Sequence, residues 1–403
     1  MKNRRILFIV VLTCMMNFVM AMNFSWSLYE SALHDLAGWS HTQASLPLTV
    51  FSMCYCLFVT PTGLLQDKIG ARKTILFGSL IGAVGLVICG LTMTVAGVVI
   101  GFGVLYPLGL VAAYSANVGN ALRNVPAKKR GTVSGIVISA VGISGIISAE
   151  VSSAVINKMG ISPAFFTLAA YTTPVLLLGV MLLGLVPKAE EEPAVPEDKV
   201  QTAVSSDTQD LTLKQTIRTK RFYLLVLVNL LGCMANSSVS THIVSIAKLQ
   251  AGVPAERAQI FVTLIAICNF VGRLSTGFIS DRVPRKYILS VMFAIDTAVI
   301  AMFRFFTSGV LIGAGIGLVT LTGAALMVLV PVLITDFFGA KYYGQNYGIV
   351  NTFSVINSIM PVIVGSIVDR TGSYTGAFTL GTVLSAVTFV LTLLLPKTGG
   401  RST

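Results

Sequence analysis

Charge is what this sequence has least of. Only 11% of its 403 residues are Asp, Glu, Lys or Arg, against about a quarter in a soluble globular domain, and that excludes an ordinary water-soluble fold. Histidine is nearly absent, with 3 copies. The 6 cysteines (Cys14, Cys54, Cys56, Cys89, Cys233, Cys268) all fall in apolar runs, none at metal-ligand spacing from a histidine. Neither a metal centre nor a disulfide framework is therefore expected. There is no phosphate-binding loop and no nucleophile–base–acid arrangement, which argues against an enzyme, a cofactor or an ATP-driven pump. The Gly-rich run "GAGIG" at 313–317 lies inside an apolar stretch and reads as a helix-packing surface rather than a dinucleotide loop.

What is abundant is apolar sequence, 54% of the chain. Runs long enough to cross a bilayer, about 20 residues each, recur from end to end. Twelve spans are expected, at 5–28, 42–65, 74–95, 97–121, 131–157, 164–186, 221–247, 258–280, 287–306, 309–335, 344–367 and 375–396. The chain thus reads as an all-α membrane protein embedded in a lipid bilayer. Its first apolar run is too long for a typical signal core and eleven more follow, so it is read as a retained helix.

The net charge of +12 raises the question of nucleic acid, but the positions of the charges answer it. With the N-terminus placed in the cytoplasm, 22 of the 28 Lys and Arg fall in inner segments. Five (Lys158, Lys248, Arg257, Arg304, Arg370) fall in or next to outer ones, and Arg273 alone sits deep inside a span. This is the positive-inside asymmetry. Both termini are expected in the cytoplasm, and no nucleic-acid partner is needed.

The stretch 187–220 begins with an acidic, Pro-containing run almost free of aromatics and reads as a cytoplasmic linker. It separates six spans in 1–186 from six in 221–403. The halves repeat each other. "GLLQDKIGARK" at 63–73 and "GFISDRVPRK" at 277–286 place Gly63 and Gly277, and Asp67 and Asp281, 214 residues apart. "KKRGTVSGIV" at 128–137 matches "KYYGQNYGIV" at 341–350 at an offset of 213. Repeated halves with a site at their interface are a transporter signature. Gly63, Asp67, Arg72 and Lys73, with Gly277, Asp281, Arg282 and Arg285, are candidate gating residues, their charges locking neighbouring helices in one state and releasing them in another.

The segment Gly63 to Lys73, with its recurrence in the second half, resembles the loop signature of the major facilitator superfamily. That resemblance covers the whole chain and implies two six-helix bundles around a cavity that opens to alternate sides. Narrower pieces resemble the branch of oxalate–formate exchangers and monocarboxylate transporters. These are "FSWSLY" at 24–29, "GWS" at 38–40, Tyr114 ahead of "NVPAKKRG", and Arg273 in span 8. Two positions depart from it. Phe24 stands where the branch usually has Tyr, and Ser354 aligns with the second cation, a Lys, of the oxalate exchanger.

Arg273 is the leading candidate for substrate binding. A cation at membrane depth is costly and marks a pathway, and a planar guanidinium matches a carboxylate through two parallel hydrogen bonds. Asn269, one turn earlier, shares its face. The resemblance adds Tyr114 as a phenol donor, Phe24 and Trp26 as an apolar wall, and Ser354 as the place of the missing cation. His242 and Asp296 are candidate proton carriers, since imidazole titrates near neutrality and a buried carboxyl can. Glu30 and Glu150 lie near outer ends of spans and read as interfacial or gating.

One cation fits one carboxylate, so the expected function is secondary transport of small monocarboxylates of the lactate, pyruvate or formate class, by proton symport or anion exchange. The alternatives are an oxalate–formate type antiporter, a proton-driven drug or metabolite exporter, and a sensor built on a transporter fold. Span 5 lacks the proline of the Gly-Pro motif that exporters often carry, and no signalling domain is visible. A bacterial inner membrane is the expected location, and a monomer suffices for the activity.

Overall fold

A computed structural model describes residues 2–20, 26–35, 37–184 and 210–398. No strand occurs among them, as a lipid environment demands: a helix satisfies its backbone polar groups within itself. The first half contributes α1 (Lys2–Phe18), α2 (Trp26–Asp35), α3 (His41–Ile69), α4 (Ala71–Thr92), α5 (Val95–Val98), α6 (Tyr106–Arg123), α7 (Arg130–Met159) and α8 (Ile161–Gly184). The second contributes α9 (Leu213–Thr216), α10 (Lys220–Ser240), α11 (Ile243–Ala251), α12 (Ala255–Ser280), α13 (Arg285–Met302), α14 (Gly309–Phe338), α15 (Tyr343–Thr352), α16 (Met360–Thr371) and α17 (Thr375–Leu394).

Among the described residues, 10 helices are long and apolar enough to cross a membrane, and they coincide with ten of the twelve expected spans. The other two spans correspond to α1 and α7. Residues 21–25, which hold Phe24, lie outside the described set, as does most of the linker.

Several expected continuous spans are broken, each for a local reason. Span 4 contains a π-helical stretch at Val99–Leu105, where Gly101 presses its backbone onto Gly85 of α4. Span 7 turns at Thr241 and His242 between α10 and α11. Span 11 tightens into a 3-10 segment, Phe353–Ile359, before Pro361. Proline has no N–H to give the carbonyl four residues back and clashes with it, so the Met360 N–H closes on Asn357 instead. The turn between α3 and α4 is a single residue, Gly70, whose φ of +85° suits glycine.

Within the first half α4 packs on α6 and α8, and α1 on α7; within the second α12 packs on α14, and α13 on α17. The halves meet through α3 against α15 and α7 against α12. Two hydrophobic cores are each confined to one half, and a third joins both, with Val118 and Val133 beside Leu329 and Tyr343. Lys2 and Thr398 lie at the same end of the molecule. Arg5 donates to Asn124 at the end of α6, and the Arg285 N–H at the start of α13 donates to the Thr398 carbonyl.

Candidate functional site: a central cavity closed at one end

Between the halves lies a cavity of about 370 Å³. The first half lines it with Phe51, Tyr55 and Tyr114, the second with Arg273, Tyr347 and Ser354, among others. Arg273 is the only charged side chain lining it among the described residues.

Arg273 is 5% exposed. Nη1 donates to the Ile138 carbonyl of α7 at 3.2 Å, and Nη2 approaches the Met327 sulfur of α14 at 3.3 Å. Nε is buried and has no protein partner. Neither ion pair formed among the described residues, Arg123–Asp67 and Arg285–Asp336, involves it. A desolvated charge without a counter-ion is expensive, and none pairs with Arg273 among the described residues. Tyr114 lines the same cavity.

The other residues singled out from the sequence divide. Ser354 lines the cavity and accepts from Asn229 at 3.3 Å. Asn269 is half-buried but not part of the cavity wall. Trp26 is sealed inside the first half, 1% exposed and stacked on Phe102 at 4.0 Å between ring centroids. Asp296 is fully buried between α13 and α17, accepting from Ser385 at 2.9 Å. His242 lies where α10 gives way to α11, its Nε2 3.2 Å from the Pro361 carbonyl. Neither proton-carrier candidate touches the cavity.

At the end of the molecule that carries Lys2 and Thr398, the two motif aspartates hold the halves together in the same way. Asp67, at the end of α3, accepts the N–H groups of Gly344 and Gln345 at 3.2 and 2.8 Å, in the first turn of α15. Asp281, just past α12, accepts those of Gly131 and Thr132, both at 2.8 Å, in the first turn of α7. A helix N-terminus offers unpaired donors and a positive dipole end, and each carboxylate takes both. Glycines make the approach possible. A side chain at Gly63 would strike the Gly344 carbonyl, and one at Gly277 would come within 2.8 Å of the Gly131 oxygen.

The basic motif residues play other parts than pairing with these aspartates. The partner of Asp67 is Arg123 of α6, at 2.7 Å, which also donates to the carbonyls of Ala340 and Lys341 across the interface. Arg72 donates to the Val180 carbonyl of its own half, and Arg285 pairs with Asp336 within the second. The sequence reading also missed the end of the linker. Asp210 accepts the Lys341 N–H at 3.1 Å, and the Leu211 N–H donates to Phe338. The α14–α15 loop is thereby gripped from both sides. Gly339, with φ of +79°, makes room for Asp210.

Repeated helical halves enclosing a central cavity, shut at one end by contacts between them, define a multi-pass membrane transporter. The chain belongs to the Major Facilitator Superfamily, whose pattern matches residues 6–360. It is similar to an oxalate:formate antiporter of Oxalobacter formigenes, 26% identical over 400 residues, covering 97% of this chain and 90% of the relative. It is also similar to monocarboxylate transporter 12 of Xenopus laevis, 23% identical over 349 residues, covering 81% and 75%. In fold it resembles FucP, a transporter of the same superfamily solved in the outward conformation, with a TM-score of 0.73 at 18% identity. The match covers 96% of this chain and 99% of FucP.

Proposed function

We propose that the protein is a secondary transporter of small organic monocarboxylates, of the lactate, pyruvate and formate class, working by alternating access. The observation that carries this is Arg273: a buried guanidinium in a central cavity with no counter-ion among the described residues. Two parallel donors and a permanent charge suit one carboxylate. Tyr114 supplies a further donor and Ser354 a neutral one where the oxalate exchanger has a lysine. The names of the relatives, an oxalate:formate antiporter and a monocarboxylate transporter, point the same way. Lipophilic cations, the cargo of a drug exporter, would be repelled by the same charge.

In this reading twelve spans form two six-helix bundles, 1–186 and 221–403, joined by the linker 187–220. The basic loops place the closed end, with both termini, in the cytoplasm, so the state described faces outward in the membrane, a bacterial inner membrane. Asp296 and His242 lie off the cavity, which favours anion exchange over proton symport, since exchange asks only for Arg273. The test is uptake into proteoliposomes of carboxylates of one to four carbons. Arg273→Ala should abolish it, and Arg273→Lys, which keeps the charge and loses the fork, should lower it about tenfold or more. Unchanged uptake of every carboxylate in both variants would falsify the proposal.

A further inference from the structure

The 3-10 segment Phe353–Ile359 gives the cavity a second recognition element. With three residues per turn, side chains at i and i+3 eclipse, so Ser354 and Asn357 stack in one row. Asn351, three residues before Ser354, lies in α15, and all three line the cavity. In a regular α-helix residues three apart step around the axis by about 60°. The break before Pro361 is therefore what aims Ser354 and Asn357 together.

The row is neutral, and its hydrogen-bonding capacity is only partly used. Ser354 Oγ accepts from Asn229 at 3.3 Å, and its own proton has no protein acceptor among the described hydrogen bonds. Asn357 Oδ1 is buried with no partner. One free donor thus lies three residues from one free acceptor. The row also sits on a different wall from Arg273. The 3-10 segment packs against α3 and α10, whereas α12 packs against α7 and α14.

We infer that this row is a subsite for a hydroxyl group, so that the preferred cargo is a hydroxyl-bearing monocarboxylate. A hydroxyl both donates and accepts, and it satisfies Asn357 Oδ1 and Ser354 together. A plain alkanoate leaves the buried acceptor unmet, at a cost that lowers its capture about tenfold. A second carboxylate meets no cation on this wall and faces the lone pairs of Asn357. The inference rests on the carboxylate reading of Arg273 and adds to it a rule for the rest of the molecule.

The experiment compares labelled butyrate with 3-hydroxybutyrate, and propionate with lactate, in proteoliposomes of the full chain. For the wild type, kcat/KM should favour the hydroxylated member of each pair about tenfold. In Asn357→Leu, and separately in Ser354→Ala, that ratio should fall to within about twofold. Because both cargoes are measured on one preparation, the ratio does not depend on how much of a variant folds. A wild type without preference, or a preference that survives in both variants, overturns this inference. If Arg273→Ala nevertheless abolishes uptake in such a case, the carboxylate reading stands. If the wild type takes up none of the four acids, this inference falls, and the carboxylate reading falls with it when formate and pyruvate are refused as well.

Discussion

Removing Asp67 should unlock one side of the transporter, by an amount that follows from its contacts. The carboxylate is 6% exposed and accepts from Arg123 at 2.7 Å and from two backbone N–H groups at 3.2 and 2.8 Å. Hydrogen bonds to a charged group contribute about 1.5–3 kcal/mol each. Arg123 belongs to the same half as Asp67, so only the two backbone N–H groups bear on the closed form directly; at about 1.5 kcal/mol each, about 3 kcal/mol is the figure for Asp67→Ala. That changes the ratio of closed to open forms about 150-fold. Asp281→Ala should act similarly through Gly131 and Thr132, and the double variant should exceed either single one. Cys56 lines the cavity and reports the change when it is the one cysteine retained. A membrane-impermeant maleimide should label it in the parent only from the side away from Asp67. In the double variant, labelling from the Asp67 side should rise at least tenfold while labelling from the other side falls. Asp336→Asn, which disturbs an ion pair inside one half, is the control and should leave the sidedness unchanged. If sidedness persists in the double variant, or Asp336→Asn alters it equally, the cross-half carboxylates are not the lock.

Gly63→Ala places a methyl group against the Gly344 carbonyl, and the same maleimide assay should show the Asp67 side opening. Asp210→Ala removes the acceptor of the Lys341 N–H, and hydrogen exchange at that amide should speed up about tenfold, matching a bond to a carboxylate of about 1.5 kcal/mol. Asp296→Asn keeps an oxygen for Ser385 to donate to and should leave the pH dependence of carboxylate uptake as it is in the wild type. Loss of that dependence would instead make Asp296 the proton carrier and the transport a symport.

Much of this arrangement was written in the sequence, yet only part of it was legible. Apolar runs revealed the helices because lipid leaves a spanning segment few alternatives. Arg273 stood out because a charge within such a run is rare. Asn269 looked equally placed, but residues four apart on an α-helix differ by about 40° in direction, enough to leave one on the cavity and the other off it. Trp26 belonged to the same motif as Phe24, and motif membership says nothing of which way a ring points; its stack on Phe102 is a long-range packing event. The lock is the more telling case. Both of its components are present as repeats, Asp67 and Asp281 at one offset, Gly131 and Gly344 at the other. What the repeat cannot state is that each aspartate binds the glycine-led helix start of the opposite half. That follows only from the geometry of two related halves placed face to face. Gly135 of α7 meets the Arg273 carbonyl, and Gly348 of α15 meets that of Val59, and Val59 stands 214 residues before Arg273. The repeat therefore builds the same crossing twice and equips one copy with a cation. The symmetry repeats the cross-half contacts, and the single departure from it, arginine where the other half has valine, puts a cation on the cavity wall.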